Sequence, residues 1–415
     1  MSRPGGDGDR GSVLLVHHRA IASPYSATVP HYLARELADS GTVHVLSRRR
    51  PDGAGDGDGG FPDDVVHHEV GTGQVPILSG LLFVVVSTLY AAALGARHRF
   101  DAVYAFQQTI IQGWPAARAG GSRFVVGLQS VPVRQKRDLS DAAHGRLPLR
   151  KRVRVALLAR YAWAVGRLLD RTDEVVCLTD GIRDATELEY GVDLSGAHVI
   201  GMGVDTDRFA VESTREPARG PDDTWVVTYV GSIGPPRGLE HVLDAVAESD
   251  RDVEFRVAGG GGDDYMTSLR ERARDLGIDD RVTWLGIVPH EEVPEVLADA
   301  DVAVSPLADI ESYRISFPAK LLEYMAAGTP VVATDIPAHR RLVEPRENGL
   351  LYDGSADGLV DALDDVIGGE VDARALGRAA RATAEAHDWA AVVAEHEAVL
   401  FDRTVRRPRA QPVPA

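Results

Sequence analysis

The chain of 415 residues contains very little lysine. Of its 45 basic residues only Lys136, Lys151 and Lys320 are lysines, whereas acidic residues number 62 and the formal net charge is −17. Such an acidic surface argues against nonspecific nucleic-acid binding. It is typical of proteins from halophilic archaea, because carboxylates stay hydrated while high salt screens their repulsion. Arginine-rich codon usage is the alternative, but it does not account for the acid excess.

Other features are also missing. The single cysteine, Cys177, lies in the apolar run "EVVCLTD" and cannot form an intrachain disulfide, so we predict a buried strand thiol. The N-terminal "MSRPGGDGDRG" lacks the apolar core of a signal peptide. The first apolar run, "VLLVHHRAIASPYSA", has no glycine, which disfavours a dinucleotide-binding dehydrogenase.

What is present is an alternation of short apolar strands with helical stretches, which predicts parallel, doubly wound sheets. The pattern breaks at "DRFAVESTREPARGPDDT" and restarts at "WVVTYVG". The sequence therefore predicts an α/β fold with two Rossmann-like halves facing a cleft. The predicted segments are a disordered leader at 1–11, a first domain at 12–206, a linker at 207–224, a second domain at 225–385, a helix returning to the first domain at 386–403 and a disordered tail at 404–415.

Two segments of the first domain are unusual. Residues 75–96, "VPILSGLLFVVVSTLYAAALGA", carry no charge over a length that could cross a bilayer. A buried helix, a helix lying in the membrane surface and a membrane span are the three interpretations. Residues 134–171 hold eleven basic and three acidic residues, a net charge of +8. Phosphate-bearing lipid headgroups are the expected partner of that segment, and a solvated face is the alternative.

Two motifs in the second half suit an anionic ligand. In "YVGSIGPPRGLEHVLDAVA" a strand ends at Gly231, and a helix follows near Gly238. Glycine permits close backbone approach, and Arg237 adds a cation, which suits a phosphate, although a turn without ligand would look the same.

The second motif is "FPAKLLEYMAAGTPVVATD". We expect residues 309–317 to form a loop and Ser316 to cap a helix that runs from about Phe317. Lys320 and Glu323 then lie on one side of that helix, as ligand-binding groups or as an exposed salt bridge.

These motifs, with "GMGVDTDRF", "RVTWLGIV", "DVAVSPL" and "ENGLLYDG", resemble in order and spacing the retaining glycosyltransferases of family 4, which have the GT-B fold. The resemblance runs from Val13 to about Phe401 and is most specific in the second half. It implies a UDP- or GDP-linked sugar donor held mainly by the second domain, and transfer of a hexose or derivative to an acceptor hydroxyl. It implies no protein nucleophile, no metal and no cofactor.

The resemblance also implies residue roles. Arg237 matches a cation that binds the donor pyrophosphate, and Glu323 matches the second of two family glutamates, which accepts hydrogen bonds from the ribose. Ser26 and Ala27 lie where the family often has a glycine pair near the phosphates. The loop whose backbone reads the base corresponds to Gly286, Ile287 and Val288.

Several positions depart from the family pattern. The first family glutamate would lie at Ile315, with Ser316 or Glu311 as substitutes. A second pyrophosphate cation would directly follow Gly231, where Ser232 stands, and Lys320 is the candidate for that charge. Gln129 replaces a common histidine. The predicted catalytic residues are therefore Arg237, Lys320 and Glu323, and Gly231, Ser232 and Ser316 complete the predicted donor contacts.

We expect a cytoplasmic enzyme, peripheral on the cytosolic membrane face, that glycosylates a polyprenyl-phosphate-linked or glycolipid acceptor. Membrane contact through 75–96 and 134–171 would bring it there. A nucleotide-sugar epimerase and a non-catalytic nucleotide-sugar-binding protein on the same fold are the alternatives, because Ile315 and Gln129 remove two expected polar groups.

Overall fold

The computed structural model describes residues 11–19, 29–49, 61–71, 76–132, 164–211 and 222–401. In the helix that begins at residue 76, side chains are described from residue 82 onward. The described residues form two α/β domains, each built on one parallel sheet. This architecture confirms the predicted fold class.

The first sheet has seven strands in the order β3-β2-β1-β4-β5-β6-β7. Helices lie on its faces, so strands such as β4 are buried at every position, as expected for a covered parallel sheet. The strands are Ser12–Val16 (β1), Thr42–Arg48 (β2), Val65–Val70 (β3), Ala102–Phe106 (β4), Arg123–Leu128 (β5), Glu174–Cys177 (β6) and His198–Val199 (β7). The helices of this domain include Val29–Ala38 (α1), Pro76–His98 (α2), Ile110–Gly120 (α3) and Asp180–Tyr190 (α4), and residues 164–169 are also helical.

The second sheet has six strands in the order β10-β9-β8-β11-β12-β13. They are Trp225–Val230 (β8), Val253–Ala258 (β9), Val282–Gly286 (β10), Val302–Ser305 (β11), Val331–Thr334 (β12) and Leu350–Tyr352 (β13). The helices are Leu239–Glu248 (α5), Asp263–Asp275 (α6), Val293–Ala298 (α7), Glu311–Arg314 (α8), Ala319–Ala326 (α9), Ala356–Ile367 (α10), Ala373–Glu385 (α11) and Trp389–Phe401 (α12).

In each sheet the strand order reverses beside the first strand of the domain, between β1 and β4 and between β8 and β11. Ligands of open α/β sheets bind in the crevice outside the carboxyl ends of the strands at such a reversal. The fold therefore directs attention to the turns that follow these strands.

The last helix, α12, lies against the first domain. The ring of Trp389 stacks on Tyr32 of α1 with centroids 4.7 Å apart. Thr206 donates a 2.6 Å hydrogen bond to Asp388, and a methyl group at Gly203 would lie 2.7 Å from the Trp389 ring. The chain therefore crosses back beside the segment that joins the two domains.

Cys177 is free and buried on β6, as predicted. Within the described ranges no helix is long and apolar enough to span a membrane. The predicted tail, the predicted leader except its last residue, and most of the basic segment 134–171 lie outside the described residues.

Candidate functional site

The turn after β8 is built for close backbone approach. The Gly231 N–H donates to the carbonyl of Ala258 at 2.8 Å, and a methyl group at Gly259 would lie 1.8 Å from the Gly231 carbonyl oxygen. Gly238, at φ +70°, leaves no room for a side chain either, because a methyl group there would lie 2.1 Å from the carbonyl oxygen of Pro306. The turn is thus held between the ends of neighbouring strands at the carboxyl edge of the sheet.

Arg237 ends the short 3-10 turn Pro235–Arg237 inside this segment. Its guanidinium lies 5.1 Å from the ring centroid of Tyr313 on α8, an attractive cation–π distance. Burial raises the pKa of the nearby Tyr229 to about 12, while Arg237 acts in the opposite direction. The ring of Tyr313 therefore helps to place the Arg237 guanidinium.

Lys320, on the first turn of α9, lies across Gly231. A methyl group at Gly231 would stand 2.8 Å from Cε of Lys320, so the space that the glycine leaves is used by the lysine stem. Ser232 follows directly, and its carbonyl accepts a 2.8 Å hydrogen bond from the Tyr229 hydroxyl. The structure thus places Lys320 beside the residue where the family's second cation is missing.

Glu323 lies one turn further along α9, and its side chain is 18% exposed. Its Oε1 is 3.2 Å from Nε2 of His290, whereas its Oε2 is 3.8 Å from Nζ of Lys320. Among the described residues Oε2 has no hydrogen-bond partner. A buried carboxylate oxygen without a partner is costly, so this atom is available to a ligand that donates a hydrogen bond.

The electrostatics of Glu323 favour the ionised form. Burial by itself raises the pKa of its carboxyl, but Lys320 and His290 lower it. Arg208, in the segment between the domains, adds to that effect, and the result is a pKa below the usual value. Glu323 is therefore a carboxylate, able only to accept hydrogen bonds, at neutral pH.

Residues 286–288 begin at the last residue of β10 and lie next to this cluster. Gly259 donates a 2.6 Å hydrogen bond to the carbonyl of Gly286, which links the ends of β9 and β10. Ile287 is 68% exposed and lies against Gly260, whereas Val288 packs on the hydrophobic cluster that contains the buried face of α9. The loop therefore presents one apolar side chain and its backbone towards solvent.

The prediction that Ser316 caps a helix from Phe317 is wrong. The helix begins at Ala319, with Pro318 before it, and no side chain caps it. Ser316 instead donates a 2.9 Å hydrogen bond to the carbonyl of Tyr313, because residues 311–314 form a helical turn within the segment that we expected to be a loop. Its hydroxyl thus completes the end of α8.

Ile315 contacts the first domain across the cleft. The Thr179 hydroxyl donates a 2.6 Å hydrogen bond to the Ile315 carbonyl, and a methyl group at Gly181 would lie 2.9 Å from Cβ of Ile315. The side chain packs on the hydrophobic cluster of the first domain. The position of the missing family glutamate is therefore occupied by an interdomain contact.

The remaining predicted positions are less informative. Ser26 and Ala27 lie outside the described residues, Glu311 begins α8, and Gln129 is half-buried just after β5. In the part of the chain that the structure describes, no three His, Cys, Asp or Glu side chains are arranged to hold a metal ion.

Sequence reasoning missed His290. It lies two residues beyond the loop 286–288, in "VPHEEV", and only that nearness to a predicted ligand loop could have drawn attention to it.

Two family comparisons cover most of the chain. Residues 26–208 match the family Glycosyltransferase Family 4, and residues 211–383 match the family Glycosyl transferases group 1. The first match covers β2 to β7 of the first sheet, and the second covers all six strands of the second sheet.

Curated proteins of similar sequence are also named as glycosyltransferases. A D-inositol 3-phosphate glycosyltransferase of Mycolicibacterium smegmatis is 31% identical over 260 residues, which are 59% of this chain and 58% of that protein. The protein of the same name from Gordonia bronchialis is 32% identical over 240 residues, 54% of this chain and 51% of that protein. The chain therefore spans little more than half the length of these curated relatives.

Solved structures show the same fold. The Anabaena protein HepE, in a complex with UDP and glucose, superposes with a TM-score of 0.69 at 18% identity, over 94% of this chain and 100% of that one. Sucrose-phosphate synthase of Thermosynechococcus elongatus superposes with a TM-score of 0.69 at 20% identity, over 94% of this chain and 98% of that one. The fold is that of the GT-B glycosyltransferases.

Proposed function

We propose that this chain, built of a Glycosyltransferase Family 4 domain and a Glycosyl transferases group 1 domain on the GT-B fold, is a retaining, metal-independent hexosyltransferase. Its donor is a UDP- or GDP-linked sugar, and its acceptor is the hydroxyl of a lipid-linked glycan at the cytosolic membrane face. The observation that supports this best is the arrangement of Arg237 and Lys320 around the turn at Gly231, next to the buried carboxylate of Glu323.

These groups match the parts of a nucleotide-sugar donor. Two cations beside a glycine turn suit a diphosphate, which carries negative charge and needs close backbone approach. The unpartnered Oε2 of Glu323 suits a ribose hydroxyl, because a carboxylate can only accept. Ile287 offers an apolar surface on which a base can rest.

In the proposed reaction the acceptor oxygen bonds to the anomeric carbon on the face from which the nucleoside diphosphate departs. The bond from that carbon to the phosphate oxygen breaks, and the acceptor hydroxyl proton passes to the departing phosphate. Negative charge then grows on the leaving phosphate, and Arg237 and Lys320 stabilise it. Because these side chains supply the positive charge, the step does not need a divalent ion at the phosphate.

The membrane part of the proposal rests on α2. Five large apolar side chains on this helix are between 38% and 68% exposed: Leu82, Val85, Val86, Leu89 and Tyr90. Their spacing places them on one face, while Phe83, Ser87, Ala91 and Leu94 point inward and are buried. Contiguous exposed apolar surface marks an interaction site.

Basic residues accompany this face. Arg97 is exposed at the end of α2, and helical spacing places it on the same side of the helix as Val86 and Tyr90. The sequence of the same domain contains the +8 segment 134–171 in a chain of net charge −17. Apolar insertion with neighbouring cations is the chemistry of a helix that lies in an anionic membrane surface.

The first experiment measures thermal stabilisation of the protein by a panel of UDP- and GDP-sugars in molar KCl, since a donor stabilises the fold by mass action. The salt matches the acidic composition, which we attribute to a salt-rich cytosol. Labelled sugar from the stabilising donor is then offered to polyprenyl-phosphate-linked and glycolipid acceptors, with and without EDTA.

Label in the lipid fraction, with the anomeric configuration of the donor and no effect of EDTA, would support the proposal in full. Interconversion of the donor without any acceptor would favour the epimerase. Stabilisation without either reaction would favour a binding protein, and no stabilisation by any nucleotide sugar would contradict all three.

A further inference from the structure

Glu323 is held from outside its own helix by His290. The two side chains meet at 3.2 Å between Nε2 and Oε1, and both are mostly buried, at 12% and 18% exposure. His290 lies between β10 and α7, 33 residues earlier in the chain. The contact therefore ties the loop that follows β10 to α9.

The contact with Lys320 is of a different kind. Nζ of Lys320 is 3.8 Å from Oε2 of Glu323, beyond hydrogen-bond distance, and the lysine side chain is 42% exposed. Lys320 lowers the pKa of the Glu323 carboxyl through its charge, but without a hydrogen bond it does not fix the direction in which the carboxylate points. His290 rather than Lys320 is thus the group that orders the carboxylate, which leaves Lys320 free for another anion.

The imidazole is itself fixed by packing. Its ring lies edge-on to Phe209, with centroids 6.2 Å apart, and Phe209 is 2% exposed. Phe209 belongs to the same hydrophobic cluster as Leu321 and Leu322 of α9, on which Val288 also packs. Residues 288–290 and the buried face of α9 therefore share one rigid support.

Two buried polar atoms of this pair lack a hydrogen-bond partner in the described part of the chain: Oε2 of Glu323 and Nδ1 of His290. If Nε2 of His290 carries the proton, it donates a hydrogen bond to Oε1 of Glu323, and Nδ1 has only a lone pair. The other carboxylate oxygen, Oε2, then faces away from the histidine. A ligand hydroxyl can then satisfy that oxygen.

We propose that His290 is a positioning residue for ribose recognition: by donating from Nε2 to Oε1 it fixes the carboxylate of Glu323 so that Oε2 accepts from a ribose hydroxyl of the nucleotide. This inference rests on the proposed function, because it takes the ligand to be a nucleotide. It assigns to His290 no contact with the reacting atoms.

The test uses variants that separate the hydrogen bond from the shape of the ring. His290→Gln keeps an N–H donor at nearly the place of Nε2, whereas His290→Phe keeps a ring against Phe209 but has no donor. Dissociation constants are measured for UDP, for GDP and for their 2′,3′-dideoxy analogues, which lack the ribose hydroxyls.

His290→Phe should weaken binding of the ribonucleotide by roughly 10- to 100-fold, the value of one hydrogen bond to a charged group. It should leave binding of the dideoxy analogue nearly unchanged. His290→Gln should stay within about threefold of wild type, since it retains the donor. In the transferase assay the KM for the donor should rise in His290→Phe while kcat changes little.

Equal binding by wild type and His290→Phe would overturn the inference, and so would an equal loss for ribose and dideoxyribose nucleotides. If His290→Phe does not fold, His290→Asn replaces it, because its shorter amide cannot reach Oε1; equal binding by the Asn and Gln variants would then overturn the inference. A wild-type protein that binds neither UDP nor GDP would overturn the proposed function as well, which distinguishes the two failures.

Discussion

The two domains share one architecture but differ in where their charged and apolar groups lie. In the second domain the carboxyl edge of the sheet carries the cations Arg237 and Lys320 and the carboxylate of Glu323. In the first domain the corresponding edge begins with His17 and His18, and burial lowers their pKa values to about 4 and about 3. The first domain instead exposes the apolar face of α2. The same fold thus carries cations and a carboxylate at the sheet edge in one domain and an exposed apolar helix face in the other.

The largest expected effect tests the charged edge of the second domain. Arg237→Ala should lose about 2–4 kcal/mol of transition-state stabilisation, the scale for removing one preorganised charge-stabilising group. Glu323→Ala should instead mainly raise the KM for the donor, because it removes a ground-state contact. Steady-state kinetics measure both, and Arg270→Ala, which removes a surface cation that lies over Trp284, is the control. Wild-type rates in Arg237→Ala and Glu323→Ala would contradict the site.

The second prediction tests the apolar face of the first domain. In molar KCl, Val85→Asp combined with Leu89→Asp should lower the partition coefficient onto phosphatidylglycerol vesicles by roughly a hundredfold, because two inserted side chains are lost. Flotation of the protein with the vesicles measures this change. Leu188→Asp is the matched control, because Leu188 is 76% exposed on α4 of the same domain. Unchanged flotation of the double variant, or no flotation of the wild type, would mean that α2 does not bind membranes.

A third prediction separates Lys320 from an ordinary surface cation. Lys320→Ala should lower kcat by roughly ten- to a hundredfold, because it removes one of two charges beside the leaving phosphate. Ser232→Arg in that background should restore part of the rate, since it puts a cation back at the same turn. Gly231→Ala should also slow the reaction, because its methyl group would stand 2.8 Å from Cε of Lys320. If Lys320→Ala left kcat unchanged, Lys320 would be only a member of an exposed salt bridge.

The smallest expected effect is a loss of folding stability at acidic pH. Burial lowers the pKa to about 4 or below in five histidines that lie in the first domain or pack on it: His17, His18, His31, His44 and His396. In the second domain His339 shows the same shift. Below about pH 6.5 these histidines are protonated in the unfolded chain but stay neutral in the folded chain. The free energy of unfolding therefore falls as pH drops towards 4.

Hydrogen exchange at pH 7 and pH 5, corrected for intrinsic rates, should therefore show more loss of protection in β1, β2 and α12 than in β8 and β11. His396→Phe keeps a ring beside Tyr104 and should recover roughly 1–2 kcal/mol at pH 5. Equal loss in both domains, or no recovery in this variant, would contradict this account.

Much of the second domain could be predicted, because its signals are local. A strand, a glycine turn and a helix follow one another within "YVGSIGPPRGLEHVLDAVA", so the turn at Gly231 and the cation at Arg237 are set by neighbouring residues. The pairing of Lys320 with Glu323 also follows from helical spacing. The cap at Ser316 failed because the preceding residues form a turn of their own, which uses the serine hydroxyl.

The amino-acid pattern was enough to predict the two parallel sheets, because short apolar strands separated by helices have few other ways to bury themselves. It also determined the uncharged helix and the cations of the second domain. Packing between distant elements decided which face of α2 is exposed and that His290, 33 residues away, contacts Glu323. It likewise decided that Ile315 meets Thr179 across 136 residues. Periodicity reports which side of an element is apolar, whereas contacts between distant residues depend on how the elements pack, and no local pattern encodes that.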